Sequence, residues 1–343
     1  MINWASRFSR AVMTLSWLHL HSKTDILGTP FIAHTFRFKG AVTNVDTTLI
    51  EYSRQTVVTR AILYLHGYTD YFFQKELAEH FTEQGLGFFA IDLQGYGRSI
   101  RPNSRPNWCE SLGQYFDDIE IALTEIHQRG IEEVVILAHS TGGLIASSFI
   151  ANRQKLGASC TSLPRIKGLI LNSPFLALPF PPNTLKRMSW PIRIIVSLLP
   201  FHSLRAKKIS LYAKTLHRLF GGEWDYRLDW KPAHGFPLSF HWLKQIILRQ
   251  HELQQTQIAL PTLMCRSSIT TKAALGIEDI RKGDGVLDVD SMTLAAEKTF
   301  TELTCIRIEG GYHDLFLSPQ PIRANYLAAI DQWLLNQAFI AEY

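Results

Sequence analysis

Val134-Val135-Ile136-Leu137-Ala138-His139-Ser140-Thr141-Gly142-Gly143-Leu144-Ile145-Ala146 joins two kinds of periodicity within thirteen residues. Its first four residues are a short apolar run, which reads as a buried strand. From residue 144 to 153 the apolar spacing is helical. A strand that turns at once into a helix, with serine at the apex, is the arrangement written G-x-S-x-G; here Ala138 stands in place of the first glycine. The turn matters because a serine hydroxyl is a poor nucleophile until the backbone projects it and a base takes its proton. Gly142 and Gly143 keep the flank small, and Ala138 adds one methyl, which reads as a tolerated variant. A helix starting at Thr141 aims its N–H groups at the place where an oxyanion would form, so Thr141 is a candidate donor. The competing reading is a plain Ser-Gly turn.

Working outward, strand-like and helix-like segments alternate for most of the chain, the pattern of an α/β sheet. Residues 31–38 and 47–52 alternate like an antiparallel pair. Residues 61–65 and 88–93 read as buried strands, with a helix predicted over 73–84 between them. A second helix is expected over 112–128 and another strand over 166–171. There the alternation breaks. Pro174, Pro179, Pro181, Pro182, Pro191 and Pro200 crowd the next stretch, and tryptophan and basic residues rise. We therefore expect a core made of residues 1–174 and 258–343, with 175–257 inserted as a mainly helical cap. A strand at 262–265, a helix at 291–300, a strand at 303–308 and a helix at 321–337 complete the pattern.

Ser140 needs a base, and Gly310-Gly311-Tyr312-His313-Asp314 supplies one in a glycine turn after the last strand. That location places the His313 imidazole at the sheet edge where Ser140 stands. The base in turn needs a carboxylate to hold its other nitrogen. Gly283-Asp284-Gly285-Val286-Leu287-Asp288 makes Asp284 the first candidate and Asp288 the second. Such an acid ordinarily follows its strand closely, whereas residues 266–282 intervene here. His66 lies before the serine in chain order and is read as a brace for its loop.

The order serine, acid, histidine, together with Tyr64-Leu65-His66-Gly67-Tyr68, Asp92-Leu93-Gln94-Gly95-Tyr96-Gly97-Arg98-Ser99 and the elbow itself, resembles the α/β-hydrolase superfamily. Within it, the chain looks like the monoacylglycerol-lipase-like, serine aminopeptidase-like branch. The resemblance runs from about residue 35 to 333 and leaves out the cap and the first thirty residues. It implies a mostly parallel central sheet flanked by helices, an oxyanion hole formed by backbone N–H groups of Tyr68 and Thr141, and a structural role for the 92–99 turn. It also implies a two-step acyl transfer to water, with Ser140, Asp284 and His313 as catalytic residues.

Composition narrows the setting. With 46% hydrophobic and 19% charged residues and a net charge of +5, the chain has the balance of a globular protein with a sizeable core. Its basic residues are scattered, which argues against nucleic acid as a partner. Cys109, Cys160, Cys265 and Cys305 show no metal-ligand spacing, and neither a metal nor another cofactor is expected. No apolar run is long enough to span a bilayer, and the apolar stretch 11–20 lacks a cleavage site, so a cytoplasmic location is expected. The cap is rich in apolar side chains, among which Phe175, Trp190 and Leu198 are candidate substrate contacts. These favour a hydrophobic ester, with transient lipid contact through the cap. An aminopeptidase using Glu223, Asp225 or Asp229 is the alternative, as is a non-catalytic binder of hydrophobic ligands.

Overall fold

Alternate residues of a strand face opposite ways, so a strand that is apolar at successive positions needs cover on both faces. In β4 (Arg60–Leu65), Ala61, Leu63 and Leu65 enter one buried cluster, whereas Ile62 and Tyr64 enter another. In β6 (Glu133–His139), Val134, Ile136 and Ala138 join the first cluster, and Val135 and Leu137 the second. One face is covered by α2 (Gln114–Gln128), α3 (Thr141–Leu156) and α8 (Val289–Thr299), through Ile119, Leu144, Phe149 and Met292. The other is covered by α1 (Lys75–Glu83) and α9 (Gln320–Asn336), through Phe81, Tyr326 and Trp333. Each such side chain contributes about 1.5–3 kcal/mol when fully buried.

The structure is a computed structural model that describes residues 17–38, 45–53, 57–102, 104–157, 163–199, 201–206 and 208–341. Further strands are β1 (Trp17–Thr24), β2 (Phe31–Phe38), β3 (Asp46–Tyr52), β5 (Gly87–Asp92), β7 (Arg165–Asn172), β10 (Thr262–Ser267) and β11 (Leu303–Ile308). They form one nine-stranded sheet in the order β1-β2-β3-β5-β4-β6-β7-β10-β11. The pairs β1–β2, β2–β3 and β3–β5 are antiparallel, and every pairing from β5 to β11 is parallel. This is the mostly parallel, helix-flanked α/β-hydrolase sheet that the sequence implied. Parallel strands put their C-terminal ends on one edge, where ligands bind in open α/β sheets. His66, Ser140, Ser173 and Ser268 each follow a strand onto that edge.

Several elements differ from the sequence reading. β1 is additional: part of the apolar stretch 11–20 belongs to a largely exposed edge strand whose alternating polar residues masked it, while residues 1–16 lie outside the described residues. Helix α1 starts at Lys75 rather than Phe73, because the Gln74 side chain accepts from the Phe73 N–H and Phe73 itself is buried. Helix α3 starts at Thr141, three residues before the apolar periodicity becomes visible.

Between β7 and β10 lie α4 (Pro182–Leu198), α5 (Leu211–Leu216) and α6 (Phe240–Leu253), with a two-residue ladder of β8 (Ser203–Leu204) and β9 (Leu238–Ser239). Helix α6 docks through Trp242 and Ile246 into the first core cluster, and α4 leans on α6 through Val196 and Ile247. Among the described residues, no helix is long and apolar enough to cross a membrane.

Candidate active site

Strand β6 passes into α3 through the single residue Ser140, whose φ of 51° and ψ of −116° are unusual for a side chain with a Cβ. Such strain persists only when its surroundings enforce it. A Cβ on residue 142 would stand 2.4 Å from the His66 carbonyl oxygen, so only glycine allows α3 to start this close to β4. Ala138 is fully buried in the first core cluster, where its methyl is accommodated.

His313 follows β11 and brings its ring to this apex. Its Nε2 lies 3.0 Å from Ser140 Oγ, and its Nδ1 lies 2.8 Å from Asp284 Oδ2. With Nδ1–H donating to the carboxylate, Nε2 is the lone pair that accepts from the Ser140 hydroxyl. Asp284 is fully buried, and its Oδ1 accepts from the Val286 and Leu287 N–H groups at 2.8 Å each. Asp288 lies elsewhere, capping α8 by accepting from the Ser291 N–H at 2.9 Å.

The residues separating Asp284 from β10 close on themselves. The Thr271 N–H donates to the Asp284 carbonyl at 2.7 Å, and the Asp284 N–H donates to the Ile269 carbonyl at 3.0 Å. The excursion between them, with α7 (Ile277–Ile280), leaves and returns at one point. A Cβ at Gly283 would lie 2.5 Å from the Ile269 carbonyl, so glycine permits the closure. The acid therefore sits just beyond its strand in space, though far from it in sequence.

Tyr68 and Thr141 both line the same cavity as Ser140. Thr141 is the first residue of α3, so its N–H has no acceptor within the helix. Gly67 abuts the elbow closely enough that a Cβ there would be 3.2 Å from Ser140 Cβ. His66 is occupied on both nitrogens: Nε2 accepts from the Leu93 N–H at 3.1 Å, and Nδ1 is 2.8 Å from the Gly67 carbonyl, to which it donates. In the 92–99 turn, Asp92 accepts from the N–H groups of Phe72 and Arg98 and from the Arg98 guanidinium.

The cavity measures about 580 Å³, within the range of small-molecule sites. Its walls are mainly apolar and come largely from the segment between β7 and β10, including Phe175, Leu178, Ile192, Val196 and Leu243. Trp190 and Leu198 require correction as substrate contacts. They are 71% and 74% exposed and lie outside the lining, because α4 turns Ile192, Ile195 and Val196 toward the cavity instead. Glu223, Asp225 and Asp229 are exposed and likewise outside it; Glu223 faces Arg323 at 3.6 Å, and Asp229 pairs with Arg227.

Other residues of the lining were given no role in the sequence reading. The Tyr212 hydroxyl accepts from the Asp314 N–H at 2.9 Å, and its ring stands edge-on to His313. Lys231, partly buried, forms an ion pair with the buried Asp70. Asp70, His139 and Asp314 bring ligand atoms within 4.8 Å of one another, and the cation already in place there is Lys231. Burial holds His139 below its ordinary pKa against the pull of Asp314, which favours the neutral ring.

Sheet and elbow together define an α/β-hydrolase. Residues 57–268 match the family model of serine aminopeptidase S33 hydrolases, more than half of the chain, and the chain belongs to that family. Among curated relatives, it is 27% identical over 135 residues to a probable lysophospholipase, BODYGUARD 4 of Arabidopsis thaliana, and 28% identical over 123 residues to the phospholipase YtpA of Bacillus subtilis. These matches cover 37% and 36% of this chain but only 31% and 43% of the relatives' own lengths. Among solved structures, a soluble variant of the Saccharomyces cerevisiae monoglyceride lipase superposes with a TM-score of 0.60 at 16% identity, covering 85% of this chain and 93% of that one. The Paleococcus ferrophilus monoacylglycerol lipase gives 0.55 at 20% identity, over 80% and 94%. At that identity the likeness is one of fold. At family level, the chain is an α/β-hydrolase.

Proposed function

We propose that this protein is a serine hydrolase that cleaves carboxylic esters of hydrophobic acyl groups, of the carboxylesterase or monoglyceride-lipase type. The observation that carries the reading is the line Asp284–His313–Ser140 opening into an apolar cavity. In the proposed cycle Ser140 Oγ attacks the ester carbonyl while His313 Nε2 takes its proton. The Asp284 carboxylate holds Nδ1–H and stabilises the imidazolium that forms. Backbone N–H groups of Tyr68 and Thr141 receive the oxyanion. His313 then protonates the leaving alcohol, the Ser140 acyl ester forms, and a water activated by the same imidazole releases the acid.

The apolar walls favour an acyl chain over a peptide, and the exposed acids of the inserted segment offer a free amine no anchor inside the cavity. The names of the relatives, phospholipase and monoglyceride lipase, support an ester bond. On α4 and just beyond it, Trp190, Leu198, Leu199 and Phe201 are exposed near Arg187, Arg193 and Arg205, a face suited to resting on lipid. The buried free thiols of Cys109 and Cys265 fit a cytoplasmic setting.

A fluorophosphonate probe should label the wild-type protein, and Ser140→Ala should abolish the label. Activity on a p-nitrophenyl ester series without activity on aminoacyl-p-nitroanilides is the expected profile. Labelling that survives Ser140→Ala, or preference for the anilides, would overturn the reading.

A further inference from the structure

The loop that carries Tyr68 is fastened along its length to the inserted segment. Tyr68 donates its hydroxyl to the Pro237 carbonyl at 3.1 Å and packs at a tilt against Trp242, with ring centroids 4.2 Å apart. Thr69 Oγ1 accepts from the Phe236 N–H at 3.2 Å, which helps hold a β-branched residue at a φ of 50°. Asp70 pairs with Lys231, and the Tyr71 hydroxyl accepts from the Arg227 N–H at 2.7 Å. Four consecutive residues of the loop thus each bind the stretch 227–242.

Only one of these contacts is ionic, and it continues into the backbone beside Ser140. Asp70 gives one carboxylate oxygen to Lys231, and the other accepts from the Gly67 N–H at 3.3 Å. On the far side of the same glycine, the Gly67 carbonyl is held by His66 Nδ1. Because the peptide group is planar and trans, the direction of the Gly67 carbonyl sets that of the Tyr68 N–H. Glycine is the residue with most freedom to rotate there, and it is held on both sides. Lys231 is in turn fixed by its surroundings, with Nζ 5.5 Å from the centre of the Phe73 ring and 5.6 Å from that of Tyr226. Burial alone would lift the Asp70 carboxyl, but the charge and hydrogen bond of Lys231 outweigh it and hold the group below its ordinary value.

We infer that Lys231 is a positioning residue for acyl transfer: through Asp70 and Gly67 it fixes the Tyr68 N–H against Ser140 and couples the inserted segment to the oxyanion site. The inference rests on the ester-hydrolase reading above. Without the ammonium, Asp70 would be a buried anion with no cationic partner, free to draw the loop away and to repel a developing oxyanion. A donor misplaced by about an ångström costs on the order of 10- to 100-fold in rate. The loss falls on kcat, since the oxyanion exists only beyond the ground state.

The test compares wild type, Lys231→Met, Lys231→Arg and the double variant Lys231→Met/Asp70→Asn on p-nitrophenyl esters. Thermal unfolding is followed in parallel. In Lys231→Met, kcat should fall about 10- to 100-fold with KM within about threefold. Affinity for an alkyl trifluoromethyl ketone, which forms a tetrahedral oxyanion on serine, should fall with kcat, while affinity for the product fatty acid stays level. Lys231→Arg should recover part of the loss. In the double variant the buried charge is gone, so stability should return while kcat stays low. A folded Lys231→Met with kcat within about twofold of wild type would overturn the inference. So would a double variant that regains kcat along with stability. Wild-type protein that neither turns over esters nor takes the fluorophosphonate label would fail the ester-hydrolase reading itself, and this inference with it.

Discussion

The sheet core and the segment inserted between β7 and β10 hold their charged and apolar groups in opposite ways. In the core, Arg98 is buried between Asp25 and Asp92, donating to both, and Asp284 accepts three hydrogen bonds with no exposure. In the insert, the pair Arg227–Asp229 stands in solvent, and α4 leaves Trp190, Ile194 and Leu198 uncovered. Helix α3 is buried from Thr141 to Ala151, whereas α4 packs through Val196 and Ile192 and leaves its other described apolar side chains largely exposed. The difference teaches where precision resides: the groups that would touch the reacting atoms in the proposed reaction come from committed positions, and the cavity walls come from a looser layer. Among the charged residues of the segment, Lys231 stands apart, mostly buried and paired with an acid of the core.

The contrast breaks most plainly at the acid. Asp284→Asn should lower kcat by on the order of 10⁴-fold, because the neutral amide cannot stabilise the His313 imidazolium or hold its tautomer. Asp288→Asn, at a carboxylate that caps α8 instead, should leave kcat near wild type. Steady-state kinetics on a p-nitrophenyl ester decide it, and the reverse ranking would move the acid to Asp288.

The ion pairs sharpen the comparison by stability. Asp25→Asn removes one carboxylate from a buried guanidinium and should cost about 3 kcal/mol or more. Asp229→Asn, at an exposed pair, should cost under about 1 kcal/mol. Urea unfolding at neutral pH measures both. The pH dependence has a definite sign. Burial would raise the Asp25 carboxyl, but the hydrogen bond and charge of Arg98 outweigh it, and its pKa lies below the ordinary 3.8. Its contribution is therefore complete above that value and is lost as pH falls through the lower, folded-state value. Asp25→Asn should flatten the acid limb of the stability curve.

Among the walls, the exposed and lining faces of α4 should separate. Ile192→Trp fills part of the cavity and should lower kcat/KM for long acyl chains about 10- to 100-fold, with butyrate esters little changed. Trp190→Ala, outside the lining, should alter neither for esters in solution. A shift in chain preference with Trp190→Ala would return that residue to the site.

The fold was legible because its signals are local. Strand and helix periods switch visibly around Ser140, and the chain order of serine, acid and histidine can be read without any contact. Asp284 was legible only as one of two acids, since the pairing of Thr271 and Ile269 with Asp284 that returns it to β10 is not a local pattern. Trp190 and Leu198 were misplaced for a related reason. A helix apolar on several sides does not announce which side is covered, and the face of α4 is chosen by Val196 packing on Ile247. Asp70 sat two residues from a recognised motif, but nothing in its neighbourhood pointed to Lys231. β1 was hidden because an exposed edge strand has no core face to mark it.

The smallest expected effect bears on the same acid loop. Asp288 caps α8 and satisfies an N–H that the helix cannot. Asp288→Ala should therefore cost about 1 kcal/mol of stability, while Asp288→Asn, an equally good cap, should cost little. Turnover per folded molecule should not change in either, because the cap lies at the helix start and Asp284 keeps its own backbone donors at Val286 and Leu287. Thermal unfolding combined with active-site titration separates the two quantities. A loss of turnover that exceeds the loss of folded protein in Asp288→Ala would mean that the cap tunes Asp284. The division between groups that act and groups that only hold would then fail inside the core itself.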